Sequence, residues 1–275
     1  MHSVLFRIGS LTVYGYGASI AVGMVAAMLL LYFRAKKMGY DPDLFFNGAL
    51  LGIVAGVLGA KLLYIITDLP AIIADPSILL DIGGGFVVYG GLVTGLLAPL
   101  IYLRVKKTSV LEKFDLAMPS IAIGQAFGRI GCFLAGCCYG KACPAGAWYG
   151  MHFPEGSDAP SGVAIYPTQA MSAIFDFLLF AFLWFFVKKE KFRGETVCLY
   201  MLLYSVGRFL IEYIRDDPRG SVGPFSTSQF ISLFIFAGGI VLFFVFRKKG
   251  LPVPPVLDEV SKAKPKKKKT EGEER

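Results

Sequence analysis

The chain has 275 residues, of which 55% are hydrophobic and only 17% are charged, and its mean hydropathy is +0.60. This composition excludes a disordered protein and an ordinary soluble domain, and it is typical of an integral membrane protein. The formal net charge of +8 does not require nucleic acid as a partner, and we expect none, because the basic residues concentrate in short segments between apolar stretches and in one C-terminal run.

Seven apolar segments are long enough to cross a bilayer, since a hydrocarbon core of about 30 Å requires about 20 mainly apolar residues in a helix. They cover residues 11–33, 44–66, 79–103, 114–135, 168–187, 196–214 and 228–246. The fourth contains Pro119 and several glycines, which indicates a bent or broken helix that lines a cavity. The sequence therefore predicts an all-α integral membrane protein of about seven transmembrane helices around an intramembrane cavity.

Basic residues follow every second predicted span, and this pattern sets the orientation because short cytoplasmic loops are rich in lysine and arginine. They lie at 34–37, 104–113, 188–193 and 247–249. Of the segments in between, 67–77 has no basic residue and 140–167 has only Lys141, although the segment near Asp216 carries two arginines. We expect a multi-pass membrane protein with the N-terminus outside and the C-terminus in the cytoplasm.

The C-terminal segment 251–275 has low complexity and contains a polybasic run at 262–269. Such a composition favours a disordered tail, and basic residues beside a membrane are attracted to anionic lipids. We expect residues 1–250 to form the transmembrane domain and the tail to be cytoplasmic, where it is either solvated or bound to anionic membrane lipids.

Charged side chains inside the predicted spans indicate a functional site, because a charge in hydrocarbon is costly unless it faces a cavity or a partner. Arg129 has no acidic residue in helical register within its own segment, so a phosphate anion is the partner that we expect. Arg208 and Glu212 lie four residues apart on one helix face, and a buried pair between them is the alternative to ligand binding. Lys61 lies near the end of its span, where snorkelling toward the interface also explains it.

Tyrosines accompany these cations in the predicted spans. Tyr204 lies one helical turn before Arg208, and Tyr89 lies among glycines that allow close backbone approach. Most tyrosines in membrane proteins are interfacial anchors, but phenols and cations that share one cavity suit the headgroup of an anionic phospholipid. An anion transporter and a lipid-binding scaffold without chemistry would use similar residues, although we find no internal repeat of the kind that transporters contain.

Four of the five cysteines lie close together in the sequence, at 132, 137, 138 and 143. Their spacing lacks the paired CxxC units of structural zinc sites, and neither histidine is near them in the chain. We expect these cysteines to be small packing residues. A disulfide outside the membrane, a metal site and a reactive thiol are the alternatives.

Short motifs are spread over nearly the whole apolar part of the chain. They are YG at 14–15, GAK at 59–61, YGG at 89–91, DxxxP and GQAFGRIG within 115–131, PTQ at 167–169, YSVGRFLIEYIR at 204–215 and SQ at 228–229. In this order they resemble the motifs of bacterial prolipoprotein diacylglyceryl transferases. The GRIG segment together with the RFLIEYIR segment is a specific combination, whereas either alone would be weak.

The resemblance implies an enzyme that transfers the diacylglyceryl group of phosphatidylglycerol to the lipobox cysteine of a prolipoprotein signal peptide, with glycerol 1-phosphate as the leaving group. We expect no cofactor and no metal, since the lipid already carries a leaving group. The resemblance also implies that Arg129 binds the lipid phosphate and that Arg208 and Tyr204 act at the same phosphate or on the leaving group, where cations stabilise negative charge. The other substrate-binding residues that we expect are Tyr14, Lys61, Gly131, Gly140 and Glu212.

Several positions depart from the motifs of the family. Tyr89 and Tyr166 stand where many members carry histidine, Cys132 and Cys137 where many carry asparagine and glutamate, and the pair at 171–172 replaces a tyrosine and a glutamate. A phenol ionises near pH 10 in water, at about its ordinary pKa, so it can act as a base only if nearby arginines stabilise the phenolate. We expect Tyr89 to be the general base. The alternatives are that it only hydrogen-bonds the substrate, or that the chain is a catalytically weak, lipid-binding paralogue.

Overall fold

The computed structural model describes residues 4–8, 11–80, 84–218 and 220–253. Within these residues, eight α-helices follow one another: α1 (Gly15–Lys37), α2 (Pro42–Thr67), α3 (Leu69–Ala74), α4 (Val88–Val105), α5 (Val110–Ala135), α6 (Thr168–Phe186), α7 (Glu195–Ile211) and α8 (Thr227–Lys249). Short 3-10 helices lie at Pro76–Leu80, Val187–Lys189 and Glu212–Ile214. Two antiparallel hairpins pair β1 (Val4–Ile8) with β2 (Leu11–Tyr14) and β3 (Ser221–Val222) with β4 (Phe225–Ser226).

The helical membrane fold predicted from the sequence is confirmed. Six helices, namely α1, α2, α4, α6, α7 and α8, are long and apolar enough to cross a membrane. The seventh long helix, α5, has 26 residues but carries several charges, including Asp115 and Arg129. It corresponds to the predicted fourth span and continues through Pro119, so the predicted interruption is not a break in the helix.

Two helices begin later than predicted. The first span was expected from residue 11, but residues 11–14 form the second strand of the N-terminal hairpin, and α1 begins at Gly15. The third was expected from residue 79, but α4 begins only at Val88. Gly85, just before α4, has a φ of +68°, a left-handed conformation that interrupts a helix and that glycine adopts without strain.

Local signals in the sequence fix several helix ends. The side chain of Asp41 accepts a hydrogen bond of 3.0 Å from the backbone N–H of Asp43, and it caps α2 just before a proline in the first turn. Ser226 and Gln229 form a reciprocal capping box at the start of α8. At the end of α5, Gly136 has a φ of +76°, as is usual for a residue that terminates a helix.

Close packing of small residues joins the helices in pairs. Helix α2 lies along α4, α7 lies along α8, and α5 contacts both α1 and α6. A Cβ atom at Gly90 of α4 would overlap the carbonyl oxygen of Gly59 in α2, and one at Gly91 would lie 3.0 Å from the carbonyl oxygen of Gly56. Such glycines let two backbones approach closely, which is the usual way for membrane helices to associate.

A buried polar layer ties α5 to α7 at the end of the bundle where the basic residues lie. The carboxylate of Asp115 in α5 accepts hydrogen bonds of 2.5 Å from the N–H of Gly194 and 2.9 Å from the N–H of Val197. These donors belong to the first turn of α7, which has no partners for them within its own helix and favours a negative charge. Asp115 therefore caps α7 from a neighbouring helix.

The predicted tail lies outside the described residues from position 254 onward, as does Arg219.

Candidate active site

The segment between α5 and α6, residues 136–167, folds into a small cap over the end of α5. Phe153, Ala159 and Ile165 form its buried core. Met151 and Ile165 exchange two backbone hydrogen bonds of 3.0 Å, and the N–H of Cys143 donates to the carbonyl of Ala164 over 2.8 Å. Because the cap is internally bonded, it holds the residues that follow α5 in fixed positions.

The start of this cap is fastened to α6 and to the end of α7. The N–H of Lys141 donates to the carbonyl of Ile214 over 2.9 Å, and Gly140 forms a β-bridge with Arg215. A Cβ atom at Gly140 would lie 2.6 Å from the carbonyl oxygen of Tyr166, so the close approach requires glycine. Gly140 thus has a structural role in bringing the ends of α5, α6 and α7 together.

Arg129 lies half-buried in α5, one and a half turns before the helix ends. Its guanidinium interacts electrostatically with Tyr204, Cys132 and Asp176. Among the described residues it makes neither a hydrogen bond nor an ion pair. A cation in this situation can accept an anionic ligand without first losing a protein partner.

Arg208 in α7 is compensated directly. It donates hydrogen bonds of 2.5 Å to Glu212 and 2.6 Å to the hydroxyl of Ser228, at the start of α8. Arg208 and Glu212 therefore form the buried ion pair that the sequence analysis gave as the alternative to ligand binding. It fixes the direction of the Arg208 side chain between α7 and α8.

Asp176 in α6 was not among the residues expected from the sequence. Its side chain is 2% exposed and interacts electrostatically with both Arg129 and Arg208. The two arginines therefore have a common neighbour between α5 and α7. An aspartate in the middle of the apolar fifth span was a signal that could have identified it.

Tyr204 belongs to the same group of side chains. Its ring stacks on that of Tyr200 with centroids 5.5 Å apart, and the hydroxyl of Tyr200 donates to the side-chain oxygen of Gln125 over 2.8 Å. These contacts join α7 to α5 one turn before Arg129. Arg129, Asp176, Tyr204 and Arg208 together form what we call the arginine site.

An apolar cavity of about 450 Å³ lies beside the arginine site, between α1, α2, α4 and α5. Its lining includes Met24, Gly52, Pro99, Ala117, Gln125 and Gly128. No residue of the arginine site lines the cavity, but Gln125 does, and Gln125 accepts the hydrogen bond from Tyr200, which stacks on Tyr204. A largely apolar cavity with a few polar groups at one end is the usual form of a binding site for an amphipathic ligand.

The remaining expected residues lie around this centre or apart from it. Gly131 is buried, and a Cβ atom there would lie 3.1 Å from the carbonyl oxygen of Tyr16 in α1. Lys61 in α2 donates to the carbonyl of Gly84 over 3.0 Å. Tyr89 at the start of α4 is 49% exposed and Tyr14 before α1 is 57% exposed. Within the described part of the chain, no hydrogen bond links either tyrosine to the two arginines.

Three of the cysteines form a cluster at the end of α5, with Cys132 in its last turn and Cys137 and Cys138 just after it. The sulfur atoms of Cys132, Cys137 and Cys138 all lie within 4.8 Å of one another, and Cys143 is not part of the group. The guanidinium of Arg129 interacts with the thiols of Cys132 and Cys138, so the cluster borders the arginine site. The arrangement can bind an anionic headgroup next to an apolar cavity, with sulfur ligands or nucleophiles close by.

Comparisons with known proteins cover the same part of the chain. A family model described as prolipoprotein diacylglyceryl transferase matches residues 3–245. A phosphatidylglycerol--prolipoprotein diacylglyceryl transferase of Clostridium tetani is 49% identical over 251 residues, which are 90% of this chain and 100% of the relative. One of Clostridium perfringens is 47% identical, covering 91% and 97% of the two chains, and one of Dehalococcoides mccartyi is 33% identical, covering 90% and 94%.

Proposed function

The chain belongs to the prolipoprotein diacylglyceryl transferase family, and from this we propose that it transfers the diacylglyceryl group of phosphatidylglycerol to prolipoproteins. It is a transferase and a multi-pass membrane protein. The observation that carries the proposal is the 49% identity to a relative of this name over 90% of the chain. The arginine site beside an apolar cavity agrees with an anionic lipid as substrate.

The acceptor that we propose is the thiol of the lipobox cysteine in a signal peptide. Its sulfur attacks the glyceryl carbon that carries the phosphate, so that a carbon–sulfur bond forms while the carbon–oxygen bond to phosphate breaks. The electron pair stays with the phosphate oxygen, and glycerol 1-phosphate leaves. The thiol proton is taken up by a base, by water or by the released phosphate.

Arg129 is the residue that we assign to the lipid phosphate. Its charge is not compensated by a direct protein contact among the described residues, and its guanidinium can hold two phosphate oxygens at once. Negative charge grows on the phosphate as the bond breaks, and a fixed cation in a site of low polarity stabilises that charge. We assign the backbone of Gly131 and Gly140, on either side of the cysteine cluster, to contacts with the headgroup.

Arg208 and Tyr204 are assigned to the same phosphate or to the leaving group. Glu212 and Ser228 hold Arg208 in place over 2.5 and 2.6 Å, so Glu212 acts on the substrate through Arg208. A cation that is already oriented loses little freedom when the transition state forms, which is the condition for efficient electrostatic stabilisation.

Tyr89, Lys61 and Tyr14 are assigned to the substrate from the side of α1, α2 and α4. For Tyr89 we keep both proposed roles, general base and hydrogen-bonding partner of the substrate. The apolar cavity is assigned to the acyl chains of phosphatidylglycerol, because its lining is apolar and because Gln125, which lines it, is hydrogen-bonded to Tyr200 next to the arginine site.

The orientation that we propose places the N-terminus outside and the C-terminus in the cytoplasm of the bacterial inner membrane. Basic residues occupy the last turns of α1, α4 and α8. These ends are connected by hydrogen bonds from Arg34 to Trp184 and from Arg193 to Ser109 and Leu251. We assign residues 1–250 to the transmembrane domain and 251–275 to a cytoplasmic tail that binds anionic lipids.

A transfer assay tests the proposed function. The purified chain is mixed with vesicles that contain labelled phosphatidylglycerol and with a lipobox peptide, and the peptide in which serine replaces the cysteine is the control. We expect label on the cysteine peptide alone and glycerol 1-phosphate in solution. If phosphatidylglycerol binds but no peptide is modified, the chain is a lipid-binding scaffold and the proposal is wrong.

A further inference from the structure

The cysteine cluster has the dimensions of a metal site. A tetrahedral zinc ion with zinc–sulfur bonds of about 2.3 Å holds its sulfur ligands about 3.8 Å apart. The sulfur atoms of Cys132, Cys137 and Cys138 lie within 4.8 Å of one another. Small side-chain rotations that move the sulfur atoms by about 1 Å would therefore bring them to the distance that zinc requires. Thiolates are ligands that favour zinc over the hard cations.

The cluster is not an ordinary part of the apolar core. Cys132 is buried, but Cys137 and Cys138 are only half-buried. The guanidinium of Arg129 interacts with two of the thiols, and the guanidinium of Arg215 interacts with the thiol of Cys138. Three thiolates and one zinc ion carry a net charge of −1, which these guanidinium groups offset.

The backbone that carries the cluster is fixed by buried side chains. The side-chain amide of Gln169 donates to the carbonyl of Cys137, and the hydroxyl of Thr168 donates to the carbonyl of Cys138, each over 2.7 Å. Thr168 and Gln169 are almost completely buried at the start of α6. Cys138 has a φ of +63°, and these bonds hold it in that left-handed conformation. Ligands held in this way lose little freedom on binding a metal.

We propose that Cys132, Cys137 and Cys138 bind one Zn²⁺ ion and that the open fourth position binds the acceptor thiol of the substrate peptide. Three protein ligands and one open position are characteristic of catalytic zinc, whereas structural zinc is closed by four. The inference rests on the proposed function, because it places the acceptor thiol next to Arg129 and the lipid phosphate that this residue binds.

Coordination to zinc would convert the substrate thiol into a thiolate, so that no dedicated base is required. A thiol that coordinates zinc loses its proton near neutral pH, and the proton passes to water. The zinc-bound sulfur then forms the carbon–sulfur bond as the carbon–oxygen bond to phosphate breaks and the electron pair stays on the phosphate. The zinc ion is neither oxidised nor reduced. Tyr89 would then act as a hydrogen-bonding partner of the substrate and not as the general base.

The first measurement is metal content. The full chain is purified in detergent with a reductant, exposed to Zn²⁺ and freed of loosely bound ions, and its metal is determined by mass spectrometry. We expect about one zinc per chain in the wild type and in the control Cys143→Ser, and no zinc above background when serine replaces Cys132, Cys137 and Cys138 together.

The second measurement uses Co²⁺ in place of zinc in the wild-type chain, so it does not depend on a variant that folds. Thiolate-to-cobalt absorption in the near ultraviolet should rise by about one third when a lipobox peptide is added without phosphatidylglycerol, because a fourth sulfur joins three. A peptide with serine in place of cysteine should cause no rise.

Three results would overturn the zinc site: no metal in the reduced wild-type chain, two cluster thiols joined in a disulfide in a fully active chain, or full transferase activity in the metal-free triple variant. A chain that binds zinc and the peptide thiol but transfers no diacylglyceryl group would keep the metal site and overturn the proposed function.

Discussion

Arg129 and Arg208 carry the same guanidinium group, but different neighbours compensate their charges. Arg208 is held by Glu212 and Ser228, whereas Arg129 has Asp176 as an acidic neighbour but forms no ion pair with it. Direct pairing lowers the cost of a charge in a site of low polarity, and a charge without it is open to a ligand. The difference makes Arg129 the residue whose loss should affect substrate binding most directly.

We expect Arg129→Ala to lower kcat/KM for phosphatidylglycerol by about 100-fold or more, since removal of one group that stabilises developing negative charge has effects of this size. Its folded state should be retained, because no direct contact among the described residues is lost. Arg104→Ala removes an exposed arginine at the end of α4 and is the control. A kcat/KM within twofold of the wild type would exclude Arg129 from the site.

Much of the arginine site could be predicted from the sequence, because cations in apolar segments are visible there. The absence of an acidic residue in register identified Arg129, and the four-residue spacing identified the pair of Arg208 and Glu212. The role of Asp176 could not be assigned in the same way, since its two arginines lie on other helices. The approach of the three thiols depends on the turn after α5, which places Cys137 and Cys138 against Cys132.

Helix α7 depends on side chains from outside its own sequence. Asp115 of α5 accepts from two N–H groups in its first turn, and Glu190 in the preceding loop accepts a hydrogen bond from Thr196. The sequence predicts the helix through its apolar content, but it does not reveal a cap that comes from 79 residues earlier in the chain. Such contacts determine how firmly one helix is attached to another.

Replacement of Asp115 by alanine should destabilise the contact between α5 and α7. Two buried N–H groups would lose their acceptor, at a cost of about 1–3 kcal/mol each. Thermal unfolding of the purified protein in detergent, followed by intrinsic fluorescence, should show a lower Tm, while the exposed loop variant Asp158→Ala should not. An unchanged Tm for Asp115→Ala would show that water or another group replaces the cap.

The buried carboxyl group of Glu190 should make the stability of the folded protein depend on pH. Burial, with a further contribution from Asp115, raises the pKa of Glu190 from 4.5 to about 9. The folded state therefore favours the protonated form, so the contribution of Glu190 to stability is greatest below pH 4.5 and is lost as the pH rises toward 9. The carboxyl group still accepts a hydrogen bond from Thr196.

We expect the Tm of the wild type to fall, relative to that of Glu190→Gln, as the pH rises from 5 to 9, since glutamine stays uncharged throughout. The exposed variant Glu155→Gln should follow the wild type. A constant difference between wild type and Glu190→Gln over this range would mean that Glu190 does not change its protonation there.

In the whole molecule, different helices border the apolar cavity and the arginine site, and of the described helices only α5 contributes residues to both. Helices α1, α2 and α4 border the cavity, whereas α6 and α7 carry the residues that surround Arg129. The sequence predicted the seven long helices, because apolar length is a local property. It could not predict which helices enclose the cavity, since that depends on the glycine contacts between α2 and α4 and on the long contact of α1 with α5.

Filling the cavity tests its assignment to the acyl chains. A Cβ atom at Gly128 would meet no atom within 4 Å, so Gly128→Leu should fold and occupy the space. We expect KM for long-chain phosphatidylglycerol to rise about tenfold, equivalent to about 1.4 kcal/mol, and KM for a short-chain analogue to change less. Gly17→Leu is the control, because Gly17 also has open space but does not line the cavity. Equal effects on both lipids would contradict the assignment.

The cap of α7 by Asp115 has a consequence for synthesis of the chain on the ribosome. The carboxylate emerges 79 residues before its first partner, a delay of about 4–16 s at ordinary elongation rates. During that interval the carboxylate of Asp115 in α5 has no hydrogen-bond donor from α7. The contact between α5 and α7 can therefore form only after Gly194 and Val197 have been synthesised.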